Sequence, residues 1–558
     1  MSEPFGVAGL ATAKPLRTAQ RLRFAMASFD VLIRGGLVVD GSGRTGSVND
    51  VAVTDGRVVV IDDLSGAEAA VEIDASGKVV APGFIDIHTH SDMAHFVDPR
   101  AESQIRQGVT TEAIGQCGIS LAPCTPHNRA ALFAQIGSWE HGHWHTYGEL
   151  LEAMDDAHIA TNVVGMVGHG ALRTAVMGPN EPRPATDDEI AEMERMLRQS
   201  LEEGAFGFTT GLEYHPGKSA TYDELASLCG AVADVDGIYA THSRNRDLRY
   251  FVGFGEALDV ARDTGVRLQI SHINPKYGRP EHALRNTLQM IEWTREEGVD
   301  VAMDMMPTNW NHTAATSLLP AWSFRLSNDE LLELLGTADG RRRLRDNSLP
   351  MWQLAVEERW DRIRLLACSA NGNLAGRTID ELTIERNTSS GWDTIFDLLI
   401  EEGPGLKGLM LTGEAFAEED NRLALEHPLC SVESDTMAMA NDGPLAGRMM
   451  GVLGYNWVAK FLAHYVRDEQ VLGLEDGVRR LTGLPSDRLG LADRGYLAEG
   501  FAADVVVFDL AAMRDNSSFS NPTVYADGID HVLVNGAVAF SGGERSSDHS
   551  GRVLRRTG

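Results

Sequence analysis

Between residues 83 and 435 the chain alternates short apolar, β-branched runs with amphipathic stretches, and most of the runs end in polar or glycine-containing residues. Eight such runs cover 83–90, 111–118, 162–170, 205–212, 237–244, 267–274, 300–307 and 430–435. Helical spacing of apolar residues marks 187–203, densely charged on one face, and 256–264. Eight strand–helix repeats with polar strand ends predict an α/β fold, a (β/α)8 TIM barrel whose chemistry sits at the strand C-terminal ends. More than 120 residues separate the seventh run from the eighth. Structureless loops above about 12–15 residues are uncommon in compact domains, so a helical insert is expected over about 311–425, near the barrel mouth.

Both ends of the chain read differently. Val31-Leu32-Ile33, Val51-Ala52-Val53 and Val58-Val59-Val60-Ile61 near the start, and Val505-Val506-Val507-Phe508 and Val532-Leu533-Val534 near the end, are β-branched runs. Turn signals such as Asp40-Gly41-Ser42-Gly43 and Asp55-Gly56 separate the first of them. A small β-sandwich built from 29–82 and 491–545 is therefore expected to flank a barrel domain over 83–490. Residues 1–28 carry Lys14, Arg17, Arg21 and Arg23 against Glu3, without the apolar core of a secretory signal. They read as a disordered tail or an over-long start upstream of Met26, and 546–558 reads as a second tail.

Charge narrows the function classes. With 49 basic and 80 acidic side chains the formal charge is −31, which repels phosphate backbones and anionic lipid. Neither nucleic acid nor a membrane surface is an expected partner, and no run approaches 18 consecutive apolar residues. Five cysteines in 558 residues is sparse and odd, which suits reduced thiols in a cytoplasmic protein. Nothing in the sequence fixes an oligomeric state, and a homo-oligomer is allowed.

The motif with most chemical content is Gly83-Phe84-Ile85-Asp86-Ile87-His88-Thr89-His90. Side chains at i and i+2 of a strand point the same way, so His88 and His90 project together as half of a zinc site. His242 ends the fifth run, His272 the sixth and Asp435 the eighth, each at the barrel end where a metal would sit. Cys124, Cys229, Cys368 and Cys430 have no ligand-type neighbour and read as packing residues. His141, His143 and His145 lie in a polar stretch and read as a solvated loop.

These residues together resemble the amidohydrolase superfamily: the HxH of its first strand matches His88 and His90, its later histidines match His242 and His272, and its strand-eight aspartate matches Asp435. The fourth run carries no lysine, whereas Gly115-Gln116-Cys117-Gly118 places a cysteine at the end of the second. This resembles the N-acyl-D-amino-acid deacylase (D-aminoacylase) family, in which that cysteine binds zinc in the lysine's place. Gly168-His169-Gly170-Ala171-Leu172-Arg173 and Thr210-Gly211-Leu212-Glu213-Tyr214 are also similar to that family. The resemblance implies one tight Zn2+ on Cys117, His242 and His272, and allows a second, weaker one on His88, His90 and Asp435. It further implies hydrolysis of a small-molecule amide to a carboxylate and an amine, with Asp435 taking the proton of the attacking water and returning it to the leaving amine.

The substrate contacts depart from the family pattern. Asn274 stands where the family has a carboxylate-binding lysine, Met305-Met306-Pro307 replaces a tyrosine-containing run, and the His-Pro-Arg after the aspartate is missing. Candidate substrate residues are therefore Arg173, Tyr214, Lys276, Met305 and Arg448. Either Lys276, Arg448 or Arg173 holds the carboxylate of an N-acyl-D-amino acid, or Met305, Met306 and Trp310 form an apolar pocket for an uncharged N-acyl amide. A barrel scaffold without catalysis would lack ligands, yet all six metal positions carry suitable side chains.

Overall fold

The computed structural model describes residues 28–133, 142–179, 181–346, 348 and 351–556. Residues 1–27 of the expected N-terminal tail and His141 lie outside the described residues, and Ser28 already opens a strand.

Eight parallel strands run in chain order: β1 (Phe84–Asp86), β2 (Val109–Ile114), β3 (Asn162–Gly165, resuming as Val167–Gly168), β4 (Gly207–Gly211), β5 (Ile238–His242), β6 (Arg267–Ile270), β7 (Val301–Met305) and β8 (Cys430–Val432). Each pairs in parallel with the next. Beyond the last ladder, Thr89 and Thr436 form a parallel bridge, and the His90 amide donates to the Thr436 carbonyl at 2.7 Å. The ends of β1 and β8 thus stand side by side. Helices such as Asp187–Glu202 pack on the outside. There Thr186 and Glu189 form a reciprocal capping box, three acidic residues occupy the first turn, and Met193, Leu197 and Leu201 bury one face.

The insert between β7 and β8 differs from the helical expectation. Its centre is a three-stranded antiparallel sheet of Trp310–Ala314, Met410–Glu414 and Ile363–Ala367, in that spatial order. Helices Asn328–Leu335 and Gly391–Glu402 accompany it. Strands this short, more than 40 residues apart in the chain, leave little local periodicity to read.

The strands of the terminal β module are linked by one continuous hydrogen-bond network of nine strands. Val79–Pro82 pairs antiparallel with Val505–Phe508, joining the two chain ends. Val31, Ile33, Val53 and Val58 from one end share a buried cluster with Val505, Val507 and Leu533 from the other. The segment expected to be a C-terminal tail instead folds back: Val553 and Leu554 pair in parallel with Val163 and Val164 of β3. Its backbone covers a strand edge that β4, starting at Gly207, leaves open. Among the described residues no helix is long and apolar enough to cross a membrane.

Candidate metal centre

Six ligand-type side chains converge at the C-terminal ends of β1, β2, β5, β6 and β8. They form two groups, His88, His90, Cys117 and Asp435, and Cys117, His242 and His272, with one ligand atom from each residue within 4.8 Å of the others in its group. Cys117 belongs to both. Its Sγ lies 3.2 Å from His88 Nε2, 3.5 Å from His242 Nδ1 and 3.4 Å from His272 Nε2. Asp435 Oδ1 lies 3.1 Å from His90 Nε2 and 3.5 Å from His88 Nε2.

The backbone is bent to make this meeting. Cys117, His272 and Asp435 have φ of 54°, 34° and 47°, in the left-handed region that side-chain-bearing residues rarely adopt. Gly115 and Gly118 flank the cysteine with φ of 80° and 74°; a Cβ on Gly115 would stand 2.0 Å from the Met166 carbonyl oxygen. Tyr214 donates from its hydroxyl to the Cys117 carbonyl at 2.7 Å, so this candidate substrate residue anchors the cysteine turn.

The donor set suits zinc. A tetrahedral zinc with Zn–S of about 2.3 Å and Zn–N of about 2.0 Å keeps its sulfur and nitrogen about 3.5 Å apart, which is the spacing of Cys117 from His242 and His272. Burial lowers His88 to about 3 and His242 to about 4, and holds His272 well below the ordinary range. These imidazoles are therefore neutral, as metal ligands must be. Burial and the Asp435 carboxylate push the Cys117 thiol up; a divalent cation against the sulfur reverses that balance.

A charged shell orients the donors. His242 Nε2 is 2.8 Å from Glu213 Oε2, which leaves Nδ1 toward Cys117. Glu213 also takes Lys276 Nζ at 2.5 Å and the Arg246 amide at 3.0 Å. Burial opposes its ionisation, but Lys276, His242 and Arg246 outweigh it and hold its carboxyl well below the usual range. Asp304 accepts from the His272 amide at 2.5 Å and from Gln269 at 2.8 Å. Glu433 is buried with neither oxygen partnered among the described residues, and burial beside Asp435, Asp304 and Asp86 pushes it well up.

Four candidate substrate residues have the following surroundings. Lys276 is buried and held by Glu213 and the Met351 carbonyl, so its charge is already neutralised. Arg173 Nη1 lies 2.6 Å from both oxygens of buried Glu224, and Nη2 donates to the Arg183 carbonyl. Arg448 is exposed on the loop after β8. Met305 is a core residue: Asp304 turns to His272, so strand alternation sends Met305 into the packing layer. Asn274, at the family's lysine position, clamps the Met306 backbone through both amide atoms.

Two further residues reach the centre. His312, from the insert's first strand, bears electrostatically on Asp435. Arg246, four residues past His242, donates from Nη1 to the His272 carbonyl at 2.7 Å. Its only sequence signal was the Arg244-Asn245-Arg246 run beside a ligand histidine, and spacing alone does not say which arginine turns inward. Of the loop histidines, His143 and His145 are exposed, as a solvated loop requires, and all five cysteines are buried and free.

Parallel strands with a cysteine-containing metal cluster at their C-terminal ends define a metal-dependent hydrolase type of site. An amidohydrolase family model matches residues 71–311 and 434–540. A D-aminoacylase of Alcaligenes xylosoxydans xylosoxydans is 34% identical over 95% of this chain and 98% of its own. An N-acyl-D-glutamate deacylase of the same organism is 33% identical over 94% and 96%. The crystal structure of the Bordetella bronchiseptica N-acyl-D-glutamate deacylase, with zinc and a phosphonate inhibitor, superposes with a TM-score of 0.78 at 30% identity, covering 95% of this chain and all of that one. The chain belongs to the amidohydrolase family, with that family's α/β fold of a TIM barrel plus a β domain.

Proposed function

We propose that the chain is a zinc-dependent deacylase of N-acyl-D-amino acids, with the eight strands closed into a barrel around the metal centre through the Thr89–Thr436 bridge. The observation that carries the reading is Cys117, a thiol shared by both donor groups and set at the end of β2 by two left-handed glycines. Cys117, His242 and His272 would hold the tight ion, and His88, His90 and Asp435 the weaker one. When bound, zinc supplies Lewis acidity, polarising an amide carbonyl and acidifying water. Asp435 takes the proton of the attacking water on its carboxylate and delivers it to the departing amine nitrogen. It is poised for this: burial would raise it, but the hydrogen bond with His90 lowers it. Glu213 keeps the His242 ring in the tautomer that presents Nδ1.

The test is amine release, with zinc present, from matched N-acyl-D-amino acids, their L-enantiomers and uncharged N-acyl amides. Faster turnover of the D-acids is expected. Turnover of the uncharged amides alone would reject the substrate class, and no turnover of any would reject the activity.

A further inference from the structure

We propose that Arg246 binds the substrate α-carboxylate, in place of the lysine and arginine that this chain lacks; the inference rests on the deacylase reading above. Arg246 is only 3% exposed, and its guanidinium makes no direct ion pair with a carboxylate among the described residues, although Glu213 and Asp304 both feel its charge. A buried guanidinium without a directly bonded anion is expensive, and native structures normally supply one. Here Nη1 is committed to the His272 carbonyl and the main-chain amide to Glu213. Nε is buried without a partner, and Nη2 makes no hydrogen bond among the described residues. Nε–H and Nη2–H form one edge of the planar fork, the edge that takes a carboxylate through two parallel hydrogen bonds.

Position and competition point the same way. The hydrogen bond from Nη1 to the His272 carbonyl sets the guanidinium beside the donor cluster, where it acts electrostatically on His88, His242, His272, Asp304 and Glu213. The Phe416 ring centroid lies 6.0 Å from the guanidinium carbon. Every other cation considered for the role is removed: Lys276 is neutralised by Glu213, Arg173 by Glu224, and Arg448 faces solvent. Arg246 thus becomes the specificity determinant for an acid over its amide.

The experiment compares N-acetyl-D-methionine with its C-terminal primary amide on zinc-loaded wild type, R246M and R246K. Hydrolysis is followed by amine release and binding by calorimetry. In R246M, kcat/KM for the acid should fall about 100-fold further than kcat/KM for the amide, chiefly through KM. Methylguanidine should restore part of the loss for the acid only. R246K keeps the charge but not the fork and should fall between, and it carries the test if R246M does not fold. An equal fall for acid and amide, or undiminished binding of the acid, overturns the proposal. Arg246-dependent binding of the acid without hydrolysis would reject the deacylase reading and keep this one. A wild type that neither hydrolyses the acid nor prefers it in binding overturns both.

Discussion

Cys117 Sγ lies 3.2 Å from His88 Nε2, so one sulfur joins the two groups of donors. Removing it should cost both metal positions at once. Cys117→Ala is expected to lose most bound zinc on dialysis, measured by plasma mass spectrometry, and to lower amide hydrolysis at least about 100-fold. Cys124→Ala, a buried cysteine outside both groups, should keep its zinc.

Glu213 and Lys276 form a buried ion pair behind His242. Glu213→Gln leaves the ammonium without its anion, a change that typically costs about 3–5 kcal/mol. The thermal unfolding midpoint should drop clearly. Glu213→Gln combined with Lys276→Met should lose less than the two single losses summed, since the second change removes the stranded charge. Additive losses would show that the pair is not coupled.

Gly115 combines φ of 80° with a Met166 carbonyl oxygen 2.0 Å from where a Cβ would stand. Gly66 has φ of 89° but open space around it. Gly66→Ala should therefore cost only the left-handed penalty of about 1–2 kcal/mol. Gly115→Ala should cost more and reduce zinc content, because β3 must move and the cysteine turn with it. Unfolding midpoints and metal analysis of the two variants make the comparison.

Burial pushes the Asp86 carboxyl up to about 8, with the nearby Glu112 adding to the shift, although Ser434 and Gln104 donate to it. A carboxyl raised in the folded state stabilises fully below its unfolded value, near 4, and loses that contribution as pH rises through about 8. Between those limits the wild type should lose up to about 1.4 kcal/mol per pH unit relative to Asp86→Asn, which does not titrate. The midpoint of Asp86→Asn minus wild type, measured on zinc-free protein from pH 5 to 8, should therefore rise with pH. A flat difference would show that Asp86 is ionised throughout.

Much of the fold was legible because the barrel writes itself locally: each of the eight runs is a short apolar strand, and each was found within a few residues of its ladder. The insert sheet was not, since Trp310–Ala314 and Met410–Glu414 acquire strand character only by pairing with each other. The return of Val553 and Leu554 to β3 was hidden for the same reason.

By itself the sequence determined which donors stand at strand ends. Strand periodicity aligns His88 with His90, and the Gly-Gln-Cys-Gly turn marks Cys117, so the metal chemistry was readable from short segments. Tertiary structure alone decided which cations are already paired with a buried carboxylate. Lys276 and Arg173 look as available as Arg246 in the sequence, but Glu213 and Glu224, more than 50 residues from them, neutralise both. A charge is free or spent according to what lies within a few ångströms of it, and in this chain those neighbours are set by packing between strands and helices distant in sequence.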